Sequence, residues 1–409
     1  MKKLLTFILI VATWSTINAQ NDLIVTLDES SKVSKDGYSF DINSDRWKLN
    51  KDTIISFQKE VLALEPAVHD GFRKSLARYA EESSAKHTLN MYHRFQRMVR
   101  DTGCTSVDEY VIRNWRAMLD NEHEWYLGAL RGFLISWHDY GYKGISSEVV
   151  NVLESMTLSG NQKGVAIANR CPYTGALTQN EQIAVANELI RMFAEDKISL
   201  ACYSYLVTLQ ATARRATQLR QLKAMDLLKE KCPKTNSTNF YLNIPRAKQR
   251  GVGFREMFKK LAITEELYLT LLNLAESEGK KLTDVLNLNL SKPQMMQIPL
   301  FIDWVTVEKL LDGEVMTDSI EMALSSDLLH ISTSQLRDGY MKQVNVLNQA
   351  ISERTGEIIQ LSARRFRRTR GTNLGRKGVG ALIIAEALDQ SDTQNVKVYT
   401  ENTADTVTY

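Results

Sequence analysis

The stretch "SARRFRRTRGTNLG", residues 362–375, puts five arginines into the seven positions from Arg364 to Arg370. The whole chain of 409 residues carries a net charge of only +3, so this cluster does not reflect bulk composition. Five guanidiniums cannot all enter a core, because burying an unpaired charge is too costly. In a helix, positions 364, 367 and 368 share one face, three and four residues apart. A planar guanidinium grips two phosphate oxygens at once, so such a face suits a phosphodiester backbone. A solvated basic surface is the competing explanation for the run taken by itself.

Working outward, a chain of this length predicts two or three domains. Hydrophobic residues at 44% and only six prolines describe a folded, helix-rich protein rather than a disordered one. Cys104, Cys171, Cys202 and Cys232 are scattered without a C-x-x-C pair, as expected of reduced structural thiols. The six histidines include no H-E-x-x-H and no spacing shared with cysteine, so no metal site is expected. The opening "MKKLLTFILIVATWSTINAQ" has the anatomy of a secretory signal, with an apolar run too short to span a bilayer.

Segment by segment, residues 1–20 are this signal-like run and residues 21–52 a polar extension of strand fragments and turns. Apolar residues recur at three- and four-residue intervals from 53 to about 160, predicting a bundle of four or five helices. Its Lys86, Arg94, Arg97 and Arg100 could line a groove facing DNA, or be ordinary surface cations. Residues 161–176, rich in Gly, Asn and Thr, are expected to be a linker. A second domain, 177–409, opens with Thr178 as a helix N-cap. In it "LACYSYLVTLQATARRATQLRQLKAMDLL" predicts an apolar helix, a break and a basic amphipathic helix. "NFYLNIPRAKQRGVGFREMF" alternates like a short β-ribbon, and "TEELYLTLLNLAESEG" predicts a helix stopped by Gly279. An insertion is expected near 285–356.

"TARRATQLRQLKAMDL", residues 212–227, resembles the first signature box of the tyrosine recombinase (phage integrase) family, with Arg215 on its first catalytic arginine. Gln218 stands where that box usually carries an acid. "FRRTRGTNLG" resembles the second box, R-H-T-x-A-T in its usual form, making Arg367 the second catalytic arginine. "LDQSDTQNVKVYT" is similar to the family's L-G-H-S…Y ending, with Gln390 in the slot of its second histidine and Tyr399 in the nucleophile position. Lys248, in "IPRAKQRG", falls on the ribbon where the family keeps a catalytic lysine. The likeness spans roughly residues 60–400. It implies a mainly α fold with a small β-ribbon, a helical core-binding domain and a catalytic domain closing around double-stranded DNA. It also implies a homotetramer on paired sites, working in the cytoplasm without cofactor, metal or membrane. On that basis the signal-like start is discounted as a mis-called start or atypical extension.

The implied chemistry is strand cleavage and rejoining through a 3′-phosphotyrosyl bond. A tyrosine hydroxyl with a pKa of about 10 needs nearby cations before it can attack. Arg215 and Arg367 would stabilise charge building on the non-bridging oxygens, and Lys248 would protonate the leaving 5′-oxygen. Arg246, Arg250, Arg365 and Arg368 are expected to contact backbone phosphates. Two departures stand out: Arg364 occupies the slot of the first histidine, and Gln390 that of the second. Arginine cannot accept the tyrosine proton. Arg364 would bind phosphate and draw down the pKa of Tyr399, while Gln390 would donate to a non-bridging oxygen. The alternative is a degenerate relative that binds DNA without cutting it.

Overall fold

A computed structural model of the chain describes residues 30–160, 164–247, 253–315, 317, 319–390 and 396–401. The chain divides into two compact units between residues 161 and 162.

The first unit opens with two antiparallel hairpins. β1 (Ser31–Val33) pairs with β2 (Ser39–Asp41), and β3 (Arg46–Asn50) with β4 (Thr53–Ser56). Strand alternation turns Trp47, Leu49 and Ile55 inward. Those side chains enter the same core as α1 (Lys59–Leu62), α2 (Pro66–Glu82), α3 (Ala85–Thr102), α4 (Glu109–Met118), α5 (Glu124–Asp139) and α6 (Ser147–Ser155). The hairpins are therefore part of the bundle and not an extension before it: few residues of 31–50 are apolar, but Phe40, Trp47 and Leu49 among them are large and buried. The β-branched run of residues 53–55, expected as helix, is strand. Phe72 stacks on Phe95 with ring centroids 4.0 Å apart, at the centre of the bundle. Arg94 lies over Trp125 and Arg97 over Tyr126, each 5.0 Å from the ring centroid, and Arg97 also pairs with Asp101.

The second unit begins with α7 (Val165–Ala168), α8 (Gln179–Ala194), α9 (Leu200–Thr212) and α10 (Ala216–Leu219). Thr178 caps α8 in a reciprocal capping box with Glu181. The segment expected as a linker is fixed to this unit: Ile167 enters a core cluster, and the backbone N–H of Leu177 donates to Thr369. After α10 the chain makes only a 3₁₀ turn at Ala224–Asp226, so the expected basic amphipathic helix does not form. Leu219 and Leu222 are fully buried, which turns the segment into the core instead of along its surface.

An antiparallel sheet follows, with β5 (Leu227–Lys231) and β7 (Phe258–Ile263) on either side of β6 (Thr238–Pro245). Phe240, Leu242 and Ile244 alternate into the core. α11 (Glu265–Leu286) runs straight through Gly279, which does not stop it. A Cβ there would come 3.0 Å from Met295, so the glycine serves close packing, and Asn287 in the left-handed region ends the helix. α12 (Lys292–Met296), α13 (Trp304–Leu311) and α14 (Ile320–Ser325) enclose a small separate core together with the end of α11. A π-helical stretch, Gln335–Met341, leads into α15 (Lys342–Leu347). The last helices are α16 (Ala363–Arg376), α17 (Ala381–Ala387) and α18 (Lys397–Glu401). No helix among the described residues is long and apolar enough to cross a membrane.

Candidate active site

The site forms where the end of α9, the end of β6, α16, the end of α17 and α18 meet. Ala213 adopts a left-handed conformation with φ +52° and breaks the chain between α9 and α10. That turn sends Arg214 into the interior and makes Arg215 the residue that starts α10. The Nη1 of Arg215 donates to the carbonyl of Asp389 at 2.9 Å. Gln218, one turn on, donates from Nε2 to the Pro245 carbonyl (3.1 Å) and to Oδ2 of Asp389 (2.8 Å). Arg246 leaves β6 and donates from Nε to the other carboxylate oxygen at 2.9 Å. Asp389, only 2% exposed and itself left-handed at φ +49°, is thus the knot joining three segments.

α16 approaches the same place. Its N-terminus is capped by Ser362, whose hydroxyl accepts from the Arg365 N–H at 3.2 Å. Arg367 donates from Nη1 to the Ala213 carbonyl at 3.2 Å, while its Nη2 is buried with no protein partner. Tyr399 lies against this helix. A Cβ at Gly371 would stand 2.6 Å from Cε1 and Cζ of its ring, and one at Gly375 2.1 Å from its carbonyl oxygen. Gln390 closes the end of α17 through its backbone N–H, and its Oε1 is buried without a protein partner.

The electrostatics are those of a site rich in cations. Burial, followed by the neighbouring Arg215 guanidinium, lowers the pKa of Arg367 to about 10, against the opposing pull of Tyr399. Burial likewise lowers Arg214 and Arg215, with Asp389 opposing in both. Burial pushes the Asp389 carboxyl up, but Arg246, Arg214 and Gln218 outweigh it and hold the group below the ordinary carboxylate range. Tyr399, 7% exposed, is raised by burial, with Arg367 and Arg368 drawing it back. An anion entering here would meet guanidiniums whose charge is incompletely balanced.

Arg215, Arg367, Gln390 and Tyr399 are therefore brought into one neighbourhood, with Arg246 beside them. Lys248 and Arg250 lie outside the described residues, as do the signal-like segment 1–20 and Tyr409. The arginine run divides in a way its spacing did not indicate. Arg365 is 3% exposed and donates to the carbonyls of Pro172, Gly175 and Gln360, so this guanidinium holds the former linker instead of facing outward. Arg368 is half-buried and donates to the Thr174 carbonyl. Arg364 and Arg370 are exposed. Arg364 is not among the cations acting on Tyr399; Arg367 and Arg368 are. Arg246 is engaged by Asp389 and not free on the surface. Sequence reasoning passed over Arg214 and Asp389. The doubled arginine at 214–215 and an acid adjoining Gln390 were the available signals, and neither announces burial.

No family model and no curated protein matches the chain. The solved structures it is similar to include recombinases and integrases. One is the XerH site-specific recombinase bound to its difH substrate before cleavage: 14% identity, TM-score 0.43, covering 86% of this chain and 93% of that one. A transposon integrase in complex with transposon right-end DNA gives 13% identity and a TM-score of 0.45, covering 83% and 98%. A lambda integrase tetramer on a Holliday junction gives 12% and 0.44, covering 82% and 79%. Such values leave the chemistry of the site to be judged from its own residues.

Proposed function

We propose that this protein is a site-specific DNA strand transferase, breaking and rejoining duplex DNA through Tyr399. The observation that carries the proposal is the packing of the Tyr399 ring on the glycine face of α16, with Arg367 beside it and Arg215 beside Arg367. In the reaction the Tyr399 hydroxyl gives its proton to solvent water and its oxygen attacks the scissile phosphorus, a phosphotyrosyl P–O bond forms, and the bond to the 5′-oxygen breaks. The unpartnered Nη2 of Arg367 and the guanidinium of Arg215 supply donors for the non-bridging oxygens as charge accumulates there. Lys248 supplies the proton to the leaving 5′-oxygen. Arg250, Arg364, Arg368 and Arg370 hold flanking phosphates, with affinity falling steeply as salt rises. The working form is a tetramer on two paired sites, in the cytoplasm.

A second reading has one specific observation in its favour. The Tyr399 phenol is buried with a raised pKa, and the histidine slots hold an exposed arginine and a glutamine. A protein that binds DNA in the same manner without cutting it would be built this way. A duplex nicked close to the scissile phosphate separates the two, because loss of the short leaving strand traps the covalent adduct. Strand transfer predicts a denaturant-resistant protein–DNA band that Tyr399→Phe abolishes. Equal salt-sensitive binding by both proteins, with no such band from either, establishes the second reading.

A further inference from the structure

Asp389 is the shared counter-ion of this centre. Its carboxylate accepts from Arg246 at 2.9 Å and from Gln218 at 2.8 Å, and its carbonyl accepts from Arg215 at 2.9 Å. The two other cations, Arg214 and Arg367, also feel its charge. Arg214 is 1% exposed, with Nε and Nη1 making no hydrogen bond, so a nearby anion is what makes its burial tolerable. Gln218, 0% exposed, spends both amide groups locally: Oε1 accepts from the Arg215 N–H and Nε2 donates to Asp389. A movement of Asp389 would therefore be passed to Arg215 by two routes, the carbonyl and the Gln218 bridge. The left-handed backbone at 389 aims both the carbonyl and the carboxylate at these partners.

We propose that Asp389 is the positioning residue of the active centre, its charge holding Arg246 and Gln218 and, through Gln218 and its own carbonyl, setting Arg215 for the phosphate. This rests on the strand-transfer reading above. It also gives the glutamine at 218 a meaning: the acid absent from that position stands across the hydrogen bond, at 389. Asp389 touches neither the phosphate nor the tyrosine in the reaction, so its influence passes through the arginines.

The test exchanges the two groups across that hydrogen bond. Asp389→Asn removes the charge with little change of shape. Combining Asp389→Asn with Gln218→Glu returns the charge from the other side, the introduced amide now donating to the introduced carboxylate. Asp389→Asn should slow adduct formation on the nicked duplex by about tenfold or more. Affinity for uncut duplex should be unchanged or slightly tighter, since a negative charge has left a phosphate site. The double variant should recover to within about fivefold of wild type, less than fully because the Pro245 carbonyl loses its donor. A purely structural role would show neither the split between binding and rate nor the rescue. Asp389→Asn as fast as wild type, or a folded double variant no faster than the single, overturns the proposal. Should wild type form no adduct, the strand-transfer reading falls by itself, and the positioning role is then judged without DNA. With nitrogen-15 arginine, the Arg246 Nε–H should exchange slowly with solvent in wild type and quickly in Asp389→Gly. Equal exchange in both overturns the positioning role as well.

Discussion

The ring of Tyr399 rests directly on Gly371, close enough that a single methyl there would sit 2.6 Å from two of its carbons. Neither Gly371 nor Gly375 has a positive φ, so close approach and not backbone freedom is what requires them. Gly371→Ala therefore separates two effects. It raises helix propensity by up to about 1 kcal/mol while displacing the phenol. Adduct formation should drop by about 100-fold, since misplacement of a reacting group by an ångström costs that much. Melting followed by circular dichroism, with duplex affinity, should stay close to wild type. A Gly371→Ala protein that cuts at the wild-type rate would show that the ring does not react from this bed.

Three arginines of the run should respond to truncation in two ways. Arg365→Ala takes the donor from the Gly175 and Gln360 carbonyls, leaves Pro172 only the longer bond from Arg354, and removes a cation 3.8 Å from the buried Glu181, so it should destabilise by about 2–4 kcal/mol. Arg364→Ala and Arg370→Ala should change stability by no more than about 0.5 kcal/mol, because both side chains are exposed. Each that holds a phosphate should instead lower the salt dependence of duplex binding by about one unit of slope. Urea unfolding and binding titrations over a salt range check the two halves independently.

That division shows where the sequence is legible. Period-2 alternation at 240–244 and three- or four-residue spacing along 85–139 announce their elements, because burial on one face leaves a repeating mark. The capping box of Thr178 and Glu181 is equally plain. Arg364 and Arg365 look alike in sequence, yet Arg364 is exposed while Arg365 is buried on carbonyls at residues 172 and 175, about 190 positions away, and no local pattern encodes such a partner. Gly279 misleads for the same reason: a glycine that ends a helix and one that admits Met295 read identically. Asp389 is hardest of all, since an acid in a polar stretch gives no sign that it closes a centre of cations.

The rate of adduct formation should climb with pH. Burial raises the Tyr399 pKa above its ordinary value, and neither histidine slot holds a base that could take its proton. Below that pKa the phenolate fraction grows tenfold per unit, so a plot of log rate against pH should have a slope of about +1 between roughly pH 7 and 9. Single-turnover assays on the nicked duplex in mixed buffers at constant ionic strength measure it. A flat profile over that range would mean that another group accepts the proton.

Stability should fall in mild acid, and His330 is the residue to examine. It is fully buried, its Nδ1 lies 2.7 Å from the Arg220 carbonyl, and its Nε2 has no hydrogen-bond partner. Burial first, then the cations Lys223, Arg220 and Arg255 against the pull of that carbonyl, holds its pKa well below the ordinary 6.5. The unfolded chain therefore binds a proton below about pH 6.5 that the folded chain refuses, and ΔG of unfolding must decrease as pH drops through that window. The contribution is complete above about 6.5 and declines by about 1.4 kcal/mol per unit until the folded value is reached. His330→Asn keeps a donor for the carbonyl and abolishes the titration. Urea unfolding of the second unit at pH 7.5 and 5.5 should show wild type losing about 1 kcal/mol more than His330→Asn over that interval. Equal losses would mean that His330 takes up its proton in the fold as readily as in the unfolded chain, and the assignment of an imidazole kept neutral in mild acid would be wrong.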